Sequence, residues 1–170
     1  MVGLLARMVG AACFNAQSYE DVEADPSATL PAIAVVVVSS IAAAIGAGAF
    51  DLRSIAGLLT AAILSWMIWV LLTLFIGTQI LKRPETRTNF GEILRTTGFS
   101  ASVGILRILG ILPVVGLPIF AIVNIWMLMT FVIAIRQALD YTSTGRALAV
   151  CLLGWLLQQI VFFGFVRIVV

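Results

Sequence analysis

Histidine is missing from this chain, and charge is scarce: 11% of its 170 residues are Asp, Glu, Lys or Arg. Without histidine there is no metalloprotease helix, no histidine-based triad and no usual zinc or iron site. Cysteine is nearly absent as well. Cys13 and Cys151 are the two present, far apart in sequence, and are expected to be small apolar packing residues without a disulfide. No Gly-Lys-Ser or Gly-Lys-Thr phosphate loop occurs, and Gly46-Ala47-Gly48 lies inside an apolar run where a dinucleotide loop cannot form. The net charge of +2 gives no reason to expect nucleic acid as a partner. These absences point away from an enzyme, and no catalytic residue, metal or cofactor is expected.

What is abundant is apolar side chain, 62% of residues with a mean hydropathy of +1.15. A soluble domain of this size could not cover that much apolar surface with so few polar groups. Several runs approach or exceed the ~18 apolar residues that span a bilayer. The expected fold is all-α, a polytopic transmembrane helical bundle of about five spans preceded by a short amphipathic or interfacial helix. Spans are expected at about Thr29–Phe50, Ile55–Leu81, Phe99–Leu112, Pro118–Ile135 and Ala147–Val170. Residues 1–26 form a cytoplasmic amino-terminal segment and 27–170 the membrane domain. The opening Met-Val-Gly-Leu-Leu-Ala-Arg carries its charge inside the apolar stretch and is not read as a signal peptide.

Residues 2–14 place Leu4, Leu5, Met8, Val9 and Ala12 on one helical stripe, too short to span, which lies on the membrane surface or packs on the bundle. The polar stretch Asn15–Pro26 reads as a solvated linker. Its carboxylates Glu20, Asp21, Glu23 and Asp25 are expected to pair with basic loops, not to hold a metal. Ala42, Ala44, Gly46 and Gly48 give small-x-x-x-small pairs that let a second helix approach closely. Asn89 and Glu92 read as a helix start, an asparagine cap with a glutamate three residues on. The third span is short and carries Arg107. Residues 99–117 either cross the membrane or form a re-entrant hairpin, and topology downstream is the same in both cases.

Orientation follows the excess of basic residues on the cytoplasmic side. With the amino end inside, seven such residues (Arg7, Lys82, Arg83, Arg87, Arg95, Arg136, Arg146) are cytoplasmic and two (Arg53, Arg167) external. The carboxyl end is then outside. Arg107 is the one ionisable residue at membrane depth, either placed for a lipid or partner, or snorkelling to head groups. Glu92 with Arg95, and Arg136 with Asp140, lie within one helical turn and can pair. All four are expected to face one another at the cytoplasmic end, with at least one pair across helices.

Three stretches carry a family resemblance. Tyr19-Glu20-Asp21-Val22-Glu23-Ala24-Asp25-Pro26-Ser27-Ala28-Thr29 resembles the segment before the first span in prokaryotic members of the Yip1 family. Asn89-Phe90-Gly91-Glu92-Ile93-Leu94-Arg95-Thr96-Thr97-Gly98-Phe99 is similar to the stretch before that family's third span. Val132-Ile133-Ala134-Ile135-Arg136-Gln137-Ala138-Leu139-Asp140-Tyr141, with Thr144-Gly145-Arg146, is similar to its fourth-to-fifth connection. The resemblance implies five spans with a cytoplasmic amino end, in agreement with the charge count, and a place in the cell (inner) membrane. Eukaryotic relatives are tied to vesicle traffic, small GTPases and membrane shaping. The long amino-terminal region of those relatives has no counterpart here, so GTPase binding is not carried over. The expected function is a non-enzymatic protein that organises membrane or partner proteins, in contact with lipids and with a protein partner or a second copy. The candidate residues are Tyr19, Glu20, Glu23, Asp25, Glu92, Arg95, Arg107, Arg136 and Asp140. Two alternatives stand beside it: a small transporter with a water-filled path lined by Arg107, Asn124 and the glutamines, and an accessory subunit of a larger membrane complex.

Overall fold

The computed structural model describes residues 3–84 and 86–169, with side chains described to residue 159. The side chain of Arg167, used above for orientation, lies outside that range. Seven α-helices follow one another: α1 Leu4–Ala12, α2 Ala16–Ala24, α3 Thr29–Gly46, α4 Leu52–Phe75, α5 Phe90–Ser100, α6 Gly116–Ala138 and α7 Thr144–Val169. A π-helical turn, Ile76–Ile80, extends α4, and a 3-10 helix, Ala101–Ile111, extends α5. The fold is an all-α bundle. Among the described residues three helices are long and apolar enough to cross a membrane: Pro26–Gly46, Leu52–Ile80 and Gly116–Ala138.

The short third segment owes its reach to its helix type. An α-helix rises ~1.5 Å per residue and a 3-10 helix ~2.0 Å, so α5 and its 3-10 extension together reach about 38 Å, more than the ~30 Å hydrocarbon core. The rod lies alongside α3 and runs in the same direction. A Cβ at Gly98 would meet Ala32 at 2.8 Å, and the Arg107 carbonyl and Gly110 sit against Gly46 at the far end of α3. From Ala32 to Gly46 an α-helix climbs ~21 Å, and the twelve residues from Gly98 to Gly110 climb about the same because ten of them are 3-10. Residues 99–111 therefore accompany α3 to its far end and do not turn back halfway. Tight 3-10 winding is what lets so short a segment do it. Hydroxyls that bond back to carbonyls three residues earlier, Ser100 to Thr97 O at 2.7 Å and Ser102 to Phe99 O at 2.6 Å, sit where the winding tightens.

Gly46 is the small residue that admits the rod, as the sequence spacing foretold. Gly48 has nothing within 4 Å and a φ of +89°, so it makes the turn into α4 and takes no part in packing. α6 packs on α5 and the 3-10 rod, and α7 packs on α6 and α4. Buried hydroxyls are satisfied internally, which hydrocarbon requires: Thr97 Oγ1 donates to Ile93 O at 2.6 Å, and Thr130 Oγ1 donates across helices to Ser100 O at 3.0 Å.

Asn15–Pro26 is not a solvated linker. Asn15 caps α2 by accepting from Gln17 N at 3.0 Å, and Tyr19 and Val22, three residues apart on one face, are fully buried. α1 and α2 form a hairpin docked on α5 and α6, closed at its open end by the ion pair Arg7–Asp25 at 2.7 Å. The Tyr19 hydroxyl lies 3.0 Å from Ala11 O and 3.1 Å from Thr130 O, and Trp126 Nε1 donates to Ala12 O at 2.8 Å. Trp126 is twelve residues, ~18 Å, from the end of α6, so the hairpin tip reaches well into the bundle. Of the two options for residues 2–14, the helix packs on the bundle and leaves Leu4, Leu5 and Val9 exposed.

Candidate functional site

The end of the bundle where α3 and α5 begin also holds the 81–89 and 139–143 connections and the base of the α1–α2 hairpin. Its architecture depends on Arg95. Asn89 and Glu92 form a full capping box on α5: Asn89 Oδ1 accepts from Glu92 N at 3.1 Å and Glu92 Oε2 accepts from Asn89 N at 2.9 Å. That fixed start aims Arg95, 7% exposed, at the carboxyl end of α2. Its Nε donates to Val22 O at 2.8 Å and its Nη2 donates to Glu23 O. The last carbonyls of a helix lack intrahelical partners and carry partial negative charge, so one guanidinium satisfies both needs and clamps the hairpin onto α5.

The connections are tied down in the same manner. Thr86 Oγ1 donates to Leu139 O at 3.1 Å, Asp140 Oδ2 accepts from Arg87 N at 3.2 Å, and the Tyr141 hydroxyl donates to Leu81 O at 2.9 Å beyond the π turn. Between hairpin and connections opens a cleft of about 510 Å³ lined by Glu20, Glu23, Glu92, Arg136 and Asp140, with Gln137 and Tyr141. Glu20 Oε1 accepts from Gln137 Nε2 at 2.9 Å. Burial, then the negative charges of Asp140 and Glu92, push the Glu23 carboxyl up from 4.5 to about 7, with Glu20 adding to the rise and Arg95 opposing it.

The expected charge network is not formed. Among the described residues the one ion pair is Arg7–Asp25, and none of Glu92, Arg95, Arg136 and Asp140 pairs within 4 Å. Each has another partner. Glu92 is held by the cap, Arg95 by two carbonyls, and Arg136 Nη1 donates to Thr144 Oγ1 at 3.3 Å. The Arg136–Asp140 pairing fails because α6 ends at Ala138 and Asp140 has a φ of +53°, so the helical register that would stack one over the other is gone. Three of the four, Glu92, Arg136 and Asp140, still line one cleft.

The acidic group of the amino-terminal segment is dispersed. Asp25 accepts from the Ser27 hydroxyl at 2.5 Å, from Arg7 at 2.7 Å and from Ser27 N at 3.0 Å, and these bonds, the Ser27 hydroxyl foremost, hold its carboxyl below its ordinary value. Asp21 accepts from Gln17 at 3.2 Å, and Glu20 and Glu23 face the cleft. Tyr19 is a buried anchor of the hairpin, with its hydroxyl pushed far up by burial, so it acts only as a neutral donor. Sequence reasoning missed α2 itself. The signal was present in Asn15 as a cap and in the Tyr19–Val22 spacing, but four carboxylates within six residues masked it.

Arg107 stands apart, on the 3-10 rod. Its Nη2 donates to Ser39 Oγ of α3 at 3.2 Å and its Nε to Gly104 O at 3.3 Å. It lines a second cleft of about 430 Å³ with Asn124 and Gln158.

The Yip1 domain family profile matches residues 14–166, from the α1–α2 turn through most of α7. Comparison with curated proteins and with solved structures returned no match. The match covers nearly the whole helical bundle, hairpin base and connections included, and this chain therefore belongs to the Yip1 family of membrane proteins.

Proposed function

We propose that the protein is a non-enzymatic organiser of the cell (inner) membrane, amino end in the cytoplasm and carboxyl end outside, that holds a protein partner at its cytoplasmic end. The observation that carries this reading is the cleft of Glu20, Glu23, Glu92 and Asp140 around Arg136. Four carboxylates face one guanidinium there, and the walls are fixed by capping bonds and not by ion pairs. That leaves negative charge available to a partner. A basic segment rich in arginine or lysine is the complementary chemistry. The excess of basic residues in the amino-terminal segment and in and around the 81–89 and 139–143 connections supports the orientation, and the missing catalytic groups support a role without chemistry.

The experiment is affinity purification of the full chain in mild detergent with mass spectrometry, run beside Glu20→Lys/Asp140→Lys. A partner retained by the natural chain and lost by the double variant is expected. A monodisperse homo-oligomer with no partner, or the same partners on both chains, sinks the reading. Fixed stoichiometry with one large assembly makes the chain an accessory subunit.

A second reading, a small transporter, is favoured by the cleft around Arg107, Asn124 and Gln158. Alternating opening would let membrane-impermeant thiol reagents reach Ser65→Cys and Asn124→Cys from each side in turn. Labelling from one side only, or from neither, removes it.

A further inference from the structure

The cleft at Arg107 lies in the middle third of the bundle. Ser39 is ten residues into α3, and Asn124 is eight residues from the opposite end of α6, which puts them ~15 Å and ~12 Å from those ends. Three other helices add to it, with Thr97 and Ser100 of α5, Ser65, Trp66 and Trp69 of α4 and Gln158 of α7, and α6 also supplies Phe131. Its volume of about 430 Å³ falls within the ~300–1,000 Å³ of small-molecule sites.

The chemistry is two-ended. At one end the Arg107 guanidinium is held by two neutral acceptors, Gly104 O and Ser39 Oγ, and no carboxylate pairs with it among the described residues. A fixed, uncompensated cation at this depth is costly. Its Nη1 has no protein acceptor among the described residues, and Asn124 supplies an amide in the same wall. Away from it the walls are Trp66, Trp69, Leu128 and Phe131, with Trp69 and Phe131 in edge-to-face contact at 5.4 Å between centroids. The Trp69 indole N–H is buried there without an acceptor. A purely structural arginine would be matched by protein oxygens. Here the matched half positions the group and the other half is left to the cleft.

We propose that this cleft binds an amphipathic anion, an oxyanion head on a single apolar chain, with the head on Arg107 and the chain against Trp66, Trp69 and Phe131. The head is a carboxylate or a phosphate, since both accept a guanidinium's paired donors. The site is independent of the cytoplasmic docking cleft, and occupancy requires no transport.

Trp66 and Trp69 provide the readout. The full chain in nanodiscs is titrated with a brominated long-chain fatty acid, and tryptophan quenching is followed. Saturable quenching is expected, with at least ~10-fold weaker binding of the brominated methyl ester, because the charge-assisted bonds are lost. Arg107→Gln is expected to bind acid and ester alike. Should Arg107→Gln not fold, Ala62→Phe, which narrows the cleft without touching Arg107, is expected to abolish saturable quenching. Competition by lysophosphatidic acid distinguishes a phosphate head from a carboxylate head, and displacement by either supports the site. Equal quenching by acid and ester in the natural chain overturns the proposal. So does unchanged affinity in a folded Arg107→Gln, or displacement by inorganic phosphate as effective as by the amphiphiles.

Discussion

Replacing Arg95 by methionine keeps a long apolar stem under α2 and removes both guanidinium bonds, to Val22 O and to Glu23 O. Hydrogen bonds from a charged donor contribute ~1.5–3 kcal/mol each in soluble proteins, and polar contacts in membrane proteins average ~0.6 kcal/mol and reach ~1.7 kcal/mol. The site lies between those settings, so the pair is worth about 2–4 kcal/mol. For a chain of this length ~1 kcal/mol moves the melting temperature by ~2–4 °C, which gives a fall of about 4–16 °C in detergent. The loss is also local. The hairpin keeps its other anchors, Tyr19 and Trp126, so the bundle persists while the α2 carboxyl end loosens. Hydrogen exchange should therefore rise across Ala16–Ala24 and stay unchanged in α6. Arg95→Lys, which can satisfy one carbonyl but not both in fork geometry, should fall between. A melting temperature within ~1 °C of the natural chain, with unaltered exchange in α2, would refute the clamp.

Stability should depend on pH through Glu23. Its folded carboxyl is raised from 4.5 to about 7, so the folded state favours the protonated form. Folding is then most favoured by this group below about 4.5, and that contribution is lost as pH rises to about 7; melting curves of Glu23→Gln across this window should lose that part of the slope and lie higher at pH 8. Gly46→Ala should destabilise, because its Cβ would strike the Arg107 carbonyl, whereas Gly57→Ala, with open space around it and better helix propensity, should be neutral or stabilising in the same melting assay. For orientation, a chain free of its own cysteines should be labelled from outside intact cells at Ser54→Cys and not at Arg87→Cys, and the reverse pattern would invert the topology. Arg87 is exposed, whereas its neighbour Thr86 is buried against Leu139 O.

Composition and periodicity alone determined that this is an all-α membrane bundle, because unbroken apolar runs of ~20 residues fit a spanning helix and lack the alternation of a barrel strand. The α5 start was equally legible, since Asn89 and Glu92 make a local cap that depends on four consecutive residues. Local rules also marked Gly46 as a close-approach point. What they could not reach was anything set by two distant segments. α2 was hidden because its polar residues outnumber Tyr19 and Val22, and its helix is held by Arg95, 73 residues away from Val22. That residues 99–111 keep pace with α3 as far as Gly46 depended on 3-10 winding, which spacing along the chain does not show. The charges of Glu92, Arg95, Arg136 and Asp140 gather at one end of the bundle but form no ion pair with one another. Spacing along a helix says which groups are near, while the nearest carbonyls, hydroxyls and chain ends, known only in three dimensions, decide which bonds form.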